Sequence, residues 1–261
     1  MDWSKIKTIF ILTFLVLNVY LLYEYFSLTS QEREVIPKNS LEERLKGDNI
    51  TIKRSPPKEE MRGQLLSAQP KVLTETELKS QKLEDQKSLD GAVILDKDET
   101  FKISNNFDPK ELDEFIKENI LYGDQYRFWE KRDSTITYYQ VYGDQMFYQN
   151  KNAQLTFYLN EENEIVSYSQ TMLEKIEKIG EETKLISPIS AIEILIKNGK
   201  IAPNSEITDY ELGYHTYVDI STTQVLTPAW RIVINGEENL FVHGIAGDIL
   251  ELNKEETKTV E

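Results

Sequence analysis

The sequence predicts an α+β protein: a single N-terminal transmembrane helix, then an external domain of two helix-then-antiparallel-sheet units. Three observations predict it. A run without formal charge, Thr8–Tyr23, opens the chain. Two apolar helical stripes follow, one after Asp108-Pro109 and one after Ser187-Pro188. Each stripe is succeeded by alternating segments rich in aromatic and β-branched residues, the pattern of half-buried strands.

The opening run reads TIFILTFLVLNVYLLY. With Ile6, Tyr25 and Phe26 it approaches the ~20 residues that a helix needs to cross a bilayer core of about 30 Å. Lys5 and Lys7 lie on its N-terminal side, and Glu24 and Glu32 follow it. The positive-inside rule therefore puts residues 1–7 in the cytoplasm, the anchor at 8–26 and the remainder outside. Trp3, Tyr20, Tyr23 and Tyr25 suit the aromatic belts of the two interfaces. The stretch YLLYEYFSLTSQ has bulky residues where a signal-cleavage site needs small ones, so the anchor is read as uncleaved. Asn18 has two readings: it meets water near the outer interface, or it contacts another helix in the membrane.

The chain has 45 acidic and 30 basic side chains, a net charge of −15, which disfavours nucleic acid and anionic surfaces as partners. Asp2 and Glu24 offset Lys5 and Lys7, so the whole −15 belongs to the part after residue 26. With no cysteine, a disulfide framework, a thiolate metal site and a cysteine nucleophile are excluded. At 39% hydrophobic residues the chain is too apolar for full disorder.

Residues 27–90 read as a charged membrane-proximal segment, either a stalk with solvated helices or a partner-binding arm. Ser40-Leu41-Glu42-Glu43 matches a capping box, with Gly47 ending that helix. Asn49–Lys53 alternates like a strand and is closed by Pro56-Pro57. Thr74–Glu77 is a second capping box, expected to open a polar helix reaching about Ser88.

The first α/β unit is expected at 91–174. Ala92–Leu95 and Thr100–Ile103 are short strands, and Asp108 caps a helix with Pro109 in its first turn. Leu112, Phe115, Ile116 and Ile120 form its stripe, and Gly123 closes it. Strands are expected at Tyr126–Lys131, Thr135–Tyr142, Gln154–Leu159 and Glu164–Met172. The second unit, 175–261, repeats the order. Its helix carries Ile189, Ile192, Leu195 and Ile196 and ends at Gly199; strands follow at Ile207–Ile220, Ala229–Ile234, Asn239–His243 and Asp248–Leu252. Asn235-Gly236 is a hairpin signal. Tyr-Gly-Asp-Gln occurs at Tyr122–Gln125 and Tyr142–Gln145, and is read as turn chemistry.

Chemistry is hard to find. No Gly-rich phosphate loop, His-Glu-x-x-His, Gly-x-Ser-x-Gly or calcium-loop pattern occurs. His215 and His243, the two histidines, have no companion nucleophile or ligand cluster nearby in sequence, and are read as locally hydrogen-bonded. The sequence thus singles out no catalytic, metal-binding or cofactor-binding residue, and a non-enzyme is expected. The 14 Tyr, 10 Phe and 3 Trp are densest between Tyr122 and Tyr168, where core and cross-strand pairing explain most of them; the alternative reading is an exposed aromatic patch for a protein partner.

The opening Met1-Asp2-Trp3-Ser4-Lys5-Ile6-Lys7-Thr8-Ile9-Phe10, continued by Phe14-Leu15-Val16-Leu17-Asn18, resembles the YycI (WalI) family of membrane-anchored regulators. The layout of one anchor and an external α/β domain of this length is similar too, in a PepSY-like or YycH-like manner. The resemblance implies a non-enzymatic regulator of a sensor histidine kinase (YycG, or WalK) that controls cell-wall metabolism. It implies a YycH-like partner, a hetero-oligomer, and contacts made through transmembrane helices as well as outside. The anchor contact carries over to Ile6–Tyr23, with Ile6, Ile9, Phe10, Phe14, Leu15, Asn18, Leu21 and Leu22 as the contact residues expected here. The location implied is the cell membrane, single-pass, with an extracellular C-terminal domain. The rival reading is an extracellular binding or hydrolytic module acting on cell-wall material or a small ligand. That reading predicts a deep pocket with converging polar groups and perturbed carboxylates.

Overall fold

In a computed structural model of the chain, residues 3–31, 38–57, 60–74, 76–77, 86–89, 92–95, 101–220 and 222–251 are described. The contacts divide the chain into two units. One comprises residues 1–51 with 202–205, and the other 52–201 with 206–261.

The smaller unit holds two helices, α1 (Trp3–Gln31) and α2 (Lys38–Gly47). α1 is apolar all round, as a segment solvated by hydrocarbon should be. Ser40 lies inside the first turn of α2 rather than ahead of it, so the expected capping box does not start this helix. Nor does Gly47 supply the left-handed residue that ends it. Asn49 does, at φ +51°, with the Ile50 amide donating to the Leu45 carbonyl at 2.7 Å. Asn and Gly are the residues that tolerate that conformation, and here the chain uses Asn. The Asn49 side chain then donates to Asn204 at 3.0 Å, and the Asn204 amide to the Asp48 carbonyl at 2.8 Å.

The larger unit contains two antiparallel sheets, each carrying one helix, as the sequence predicts. The eight-stranded sheet orders β3 (Gln86–Leu89), β4 (Ala92–Leu95), β10 (Glu164–Gln170), β9 (Gln154–Leu159), β7 (Thr135–Tyr142) and β6 (Tyr126–Lys131). β5 (Phe101–Lys102) adds to β10, and β8 (Gln145–Met146) to β7. Helix α3 (Asp113–Asn119) follows a 3-10 turn, Pro109–Leu112. The turn has the expected cap: Asp108 accepts from the Lys110 amide at 3.0 Å, and Glu111 accepts from the Asp108 amide at 3.1 Å. Leu112, Ile116 and Ile120 bury against Ile136, Tyr138, Leu155, Phe157 and Tyr168 of this sheet. Gly123 begins a second 3-10 turn instead of closing α3; a Cβ there would run into the Ile116 carbonyl.

The seven-stranded sheet is built on a long hairpin, β12 (Glu206–Ile220) and β13 (Thr223–Ile234). β1 (Thr51–Ile52) flanks β12. The far side of β13 changes partner along its length. Gln224–Leu226 pair with Ala68–Leu66 of β2 (Arg62–Lys71), and Ala229–Ile234 pair with β14 (Glu238–His243), which pairs with β15 (Ile249–Leu250). Pro228 stands between the two partners, the place where a missing N–H does least harm to a ladder. This is why β13 begins earlier than the expected Ala229. Asn235 and Gly236 take positive φ, and the Glu237 amide closes on the Ile234 carbonyl at 3.1 Å.

Three differences from the sequence reading matter. β2 falls in the expected stalk, yet Leu66 and Ala68 are fully buried in the middle of the sheet. β11 (Met172–Lys184) pairs with β2 and so runs across the expected boundary at 174/175. Gln86–Leu89 is a strand paired to Ala92–Leu95, not the end of a polar helix. The capping bonds between Thr74 and Glu77 do form, with the Thr74 amide donating to Glu77 at 3.1 Å. Residues 78–85, where that helix was expected, lie outside the described residues, as do Thr100 and Leu252.

Helix α4 (Pro188–Lys197) begins on the Ser187 cap and ends in a Schellman turn, Gly199 at φ +64° and the Lys200 amide on the Leu195 carbonyl at 2.9 Å. It packs on one face of the seven-stranded sheet, where the Trp230 indole N–H donates to the Ile186 carbonyl at 2.9 Å. Alternation sends Ala229 and Arg231 to the other face. There Ala229 and Phe241 meet Trp129, Tyr139 and Tyr148 of the eight-stranded half. The sheets close on each other at Gly213. A Cβ on it would stand 2.5 Å from the Met146 carbonyl and the Tyr148 ring, and beside it the Tyr148 amide donates to the Tyr214 carbonyl at 2.8 Å.

Candidate functional site: the apolar helix and the polar clusters of the sheet unit

The sequence-predicted contact residues all lie on α1. Among the described residues α1 is the one helix long and apolar enough to cross a membrane, over Ile6–Glu24. Its large side chains are exposed, Phe10 to 75%. Their arrangement is not uniform. Ile6, Ile9, Phe10 and Phe14 line a groove together with Thr13 and Leu17. Leu15, Asn18, Leu21 and Leu22 do not line it; Leu15 is nine residues from Ile6, about two and a half turns, and so faces the opposite way. Thr13 and Leu17 escaped the sequence reading. The signal was present in the spacing Ile6, Phe10, Thr13, Leu17, which keeps one face over three turns.

The polar side chains of α1 are turned back on their own helix. Asn18 Nδ2 donates to the Phe14 carbonyl at 2.8 Å, and Thr13 Oγ1 to the Ile9 carbonyl at 2.8 Å. Self-bonding of this kind lowers the cost of an amide or hydroxyl in hydrocarbon. It also leaves the Asn18 carbonyl oxygen on the helix surface as an acceptor. At the start of the helix the Lys7 ammonium sits 5.3 Å from the Trp3 ring centroid.

In the larger unit, titratable groups serve the fold. Lys71 bridges Glu77 at 2.8 Å and Glu174 at 3.2 Å, and lies 5.7 Å from the Tyr122 ring centroid. The hydrogen bond and charge of Lys71, aided by the Thr74 cap, hold the Glu77 carboxyl down at about 2. That direction suits a permanently ionised partner and is opposite to what a general acid requires. Tyr126 and Tyr148 donate to the carbonyls of Thr171 and Glu211, and burial pushes both phenols up.

His215 and His243 come together across β12, β13 and β14, although they are far apart in sequence. His215 pairs with Thr227 across the hairpin, and Thr227 Oγ1 lies 3.1 Å from His243 Nε2. Burial lowers the pKa of both rings; His243 lowers that of His215 further, and Asp248 partly offsets the effect at His243. Among the described residues no group of three or more His, Cys, Asp or Glu side chains stands where it could share a metal ion. The exposed tyrosines do not form one platform: Tyr158 is on β9 and Tyr217 on β12, in different sheets.

These features define an α+β protein that joins a sheet-rich unit to one helix of membrane-spanning length and apolarity. The chain belongs to the YycI family: the family model described as YycI protein matches residues 30–245. That family implies a membrane-anchored regulator of the YycFG two-component system. No curated protein matches the chain. The crystal structure of an uncharacterized protein from Eubacterium rectale ATCC 33656 superposes with a TM-score of 0.42 at 11% identity, covering 74% of this chain and 87% of that one.

Proposed function

We propose that this chain is a non-enzymatic regulator that biases a sensor histidine kinase controlling cell-wall metabolism. It acts with a YycH-like partner through transmembrane and extracellular contacts. The observation that carries the reading is the family match over residues 30–245, joined to an apolar α1 whose large side chains are exposed. Ile6, Phe10, Thr13 and Leu17 lie on one face of that helix, where a second helix could seat its side chains between theirs. On this reading residues 1–7, with Lys5 and Lys7, are cytoplasmic in accord with the positive-inside rule, α1 crosses once, and the sheet-bearing part is extracellular. The regulator works by contacting two kinase states with different affinity, since only differential contact shifts an equilibrium. The net charge of −15 suits an extracellular partner surface with basic patches.

The test replaces residues 1–26 by an unrelated membrane helix of equal length in the full chain. Loss of co-purification with the kinase, and a changed autolysin output, are expected. Unchanged co-purification and unchanged output would sink the transmembrane part of the reading.

A further inference from the structure

His243 ends β14, and its ring is fully committed. Nδ1 accepts from the backbone amides of Ile245 at 3.2 Å and Ala246 at 3.0 Å. A ring nitrogen that accepts two N–H groups carries no proton. The ring proton of the neutral form therefore sits on Nε2 and is donated to Thr227 Oγ1, 3.1 Å away in a fully buried position. A second proton could go only on Nδ1, where it would point at two other N–H groups and leave both without an acceptor.

We infer that the turn Gly244–Gly247 is a latch that neutral His243 holds shut and acid opens. The turn is short, and it ties several elements. The Gly247 amide donates to the His243 carbonyl at 2.9 Å, and the His243 amide to the Asp248 carbonyl at 2.8 Å. The Gly244 amide donates to the Pro228 carbonyl at 2.7 Å, and the Gly244 carbonyl accepts from the Ile186 amide at 2.8 Å, one residue before the α4 cap. Gly247 takes φ +84°, and a Cβ there would lie 3.1 Å from Ile194 of α4. Opening the turn therefore loosens β15 and the start of α4 together.

The groups that face the ring fix the sign. Asp248 on the turn favours the imidazolium. His215 on β12 opposes it, and the Tyr217 ring meets His243 edge-on at 6.2 Å. β13 presents the uncharged Thr227 hydroxyl, and Asp248 is the charged group whose influence on the ring opposes burial. With burial the largest influence on both histidines, the closed turn binds fewer protons than the open one. Stability of the closed state is complete above the ordinary histidine pKa of 6.5 and falls as the medium is acidified below it.

Hydrogen exchange on the full chain in neutral-lipid nanodiscs tests the latch. Protection of the segment from Phe241 to Leu250, corrected for the chemical exchange rate, is compared at about pH 7.5 and about pH 5, spanning the usual titration of histidine. A loss of protection is expected at the lower pH, because the open turn binds the proton that the closed turn excludes. Strands β9 and β10 should keep theirs. His243→Asn keeps an acceptor near the Nδ1 position and cannot titrate, so its protection should be equal at both pH values. Equal protection in the unaltered chain, an equal loss in His243→Asn, or a uniform loss that includes β9 and β10 would each overturn the latch. Independently of any variant, ring nitrogen shifts at neutral pH must report the Nε2–H tautomer; finding Nδ1–H would also overturn it.

Discussion

The guanidinium of Arg231 lies 4.4 Å from the centroid of the Trp129 ring, so a cation on a central strand of one sheet stacks on an aromatic side chain of the other. The same guanidinium reaches Glu211 at 3.0 Å and Asn239 at 2.6 Å. Arg231 is thus held in a fixed plane, which is what makes the stacking effective.

Arg231→Met keeps the aliphatic stem but loses the stacking and the ion pair with the part-exposed Glu211. The expected cost is about 1–2 kcal/mol, most of it from the stacked ring, because part-exposed ion pairs contribute little. A denaturation midpoint of the full chain in detergent measures it, and Arg231→Lys should recover less than half, having no planar fork.

Gly213→Ala puts a methyl between the Met146 carbonyl and the Tyr148 ring. Both are buried, so neither side can yield freely. A loss of about 2–3 kcal/mol is expected, typical of overpacking. Gly47→Ala is the control, since nothing lies within 4 Å of a Cβ there. Equal midpoints for the two variants would contradict the sheet-to-sheet contact at Gly213.

The Lys71 cluster sets an acid limit. Glu77 is held at about 2 in the folded chain against 4.5 for a free carboxyl. Its contribution is therefore present above about pH 4.5 and is lost as pH falls toward 2. Lys71→Met should flatten the stability curve over that interval. It should also cost about 1 kcal/mol at neutral pH, since the cluster is only partly shielded from water. An unchanged acid curve would remove Lys71 as its cause.

In the anchor, Phe10→Ala and Leu17→Ala should weaken membrane association severalfold, a groove contact between helices amounting to about 1 kcal/mol. Leu15→Ala, on the opposite side, should leave association unchanged. Asn18→Leu should weaken it if the amide oxygen meets a partner helix. A two-hybrid measurement in membranes reads all four, and equal loss at Leu15 would remove the groove as the contact face.

Most of the eight-stranded sheet was legible. β6, β7 and β9 carry Tyr, Phe, Trp, Ile and Thr in strand register, and their neighbours in sequence are largely their neighbours in space. The Asp108 and Ser187 caps were legible for the same reason, being local. β2 was not. Gly63, Gln64, Gln69 and Pro70 dilute its pattern, and its burial is conferred by β11 and β13, more than a hundred residues away in the chain. The histidine pair was invisible because three strands bring it together. The family likeness also sits in an unexpected place. The residues that suggested it are the first 18, whereas the family match spans 30–245. An apolar helix is shaped largely by the bilayer, and many chains meet that demand with similar residues. A sheet with a bulge here and a glycine crossing there is shaped by its own partners.

The placement of β2 has a consequence for how the chain comes into being. Leu66 pairs with Lys178 on one side and Leu226 on the other. A ribosome feeding the chain out from its anchored end releases β2 early and its second partner late. Until β11 emerges the strand has two open edges, and until β13 emerges it has one; open edges are the surfaces on which chains aggregate. The pairings of the eight-stranded sheet all fall between residues 86 and 170 and can form first, whereas the seven-stranded sheet waits for the C-terminal third, so its long-range ladders are the slow part of folding. Truncation near residue 220 should thus leave the eight-stranded sheet its full set of strands while the seven-stranded sheet, without β13, β14 and β15, fails to assemble.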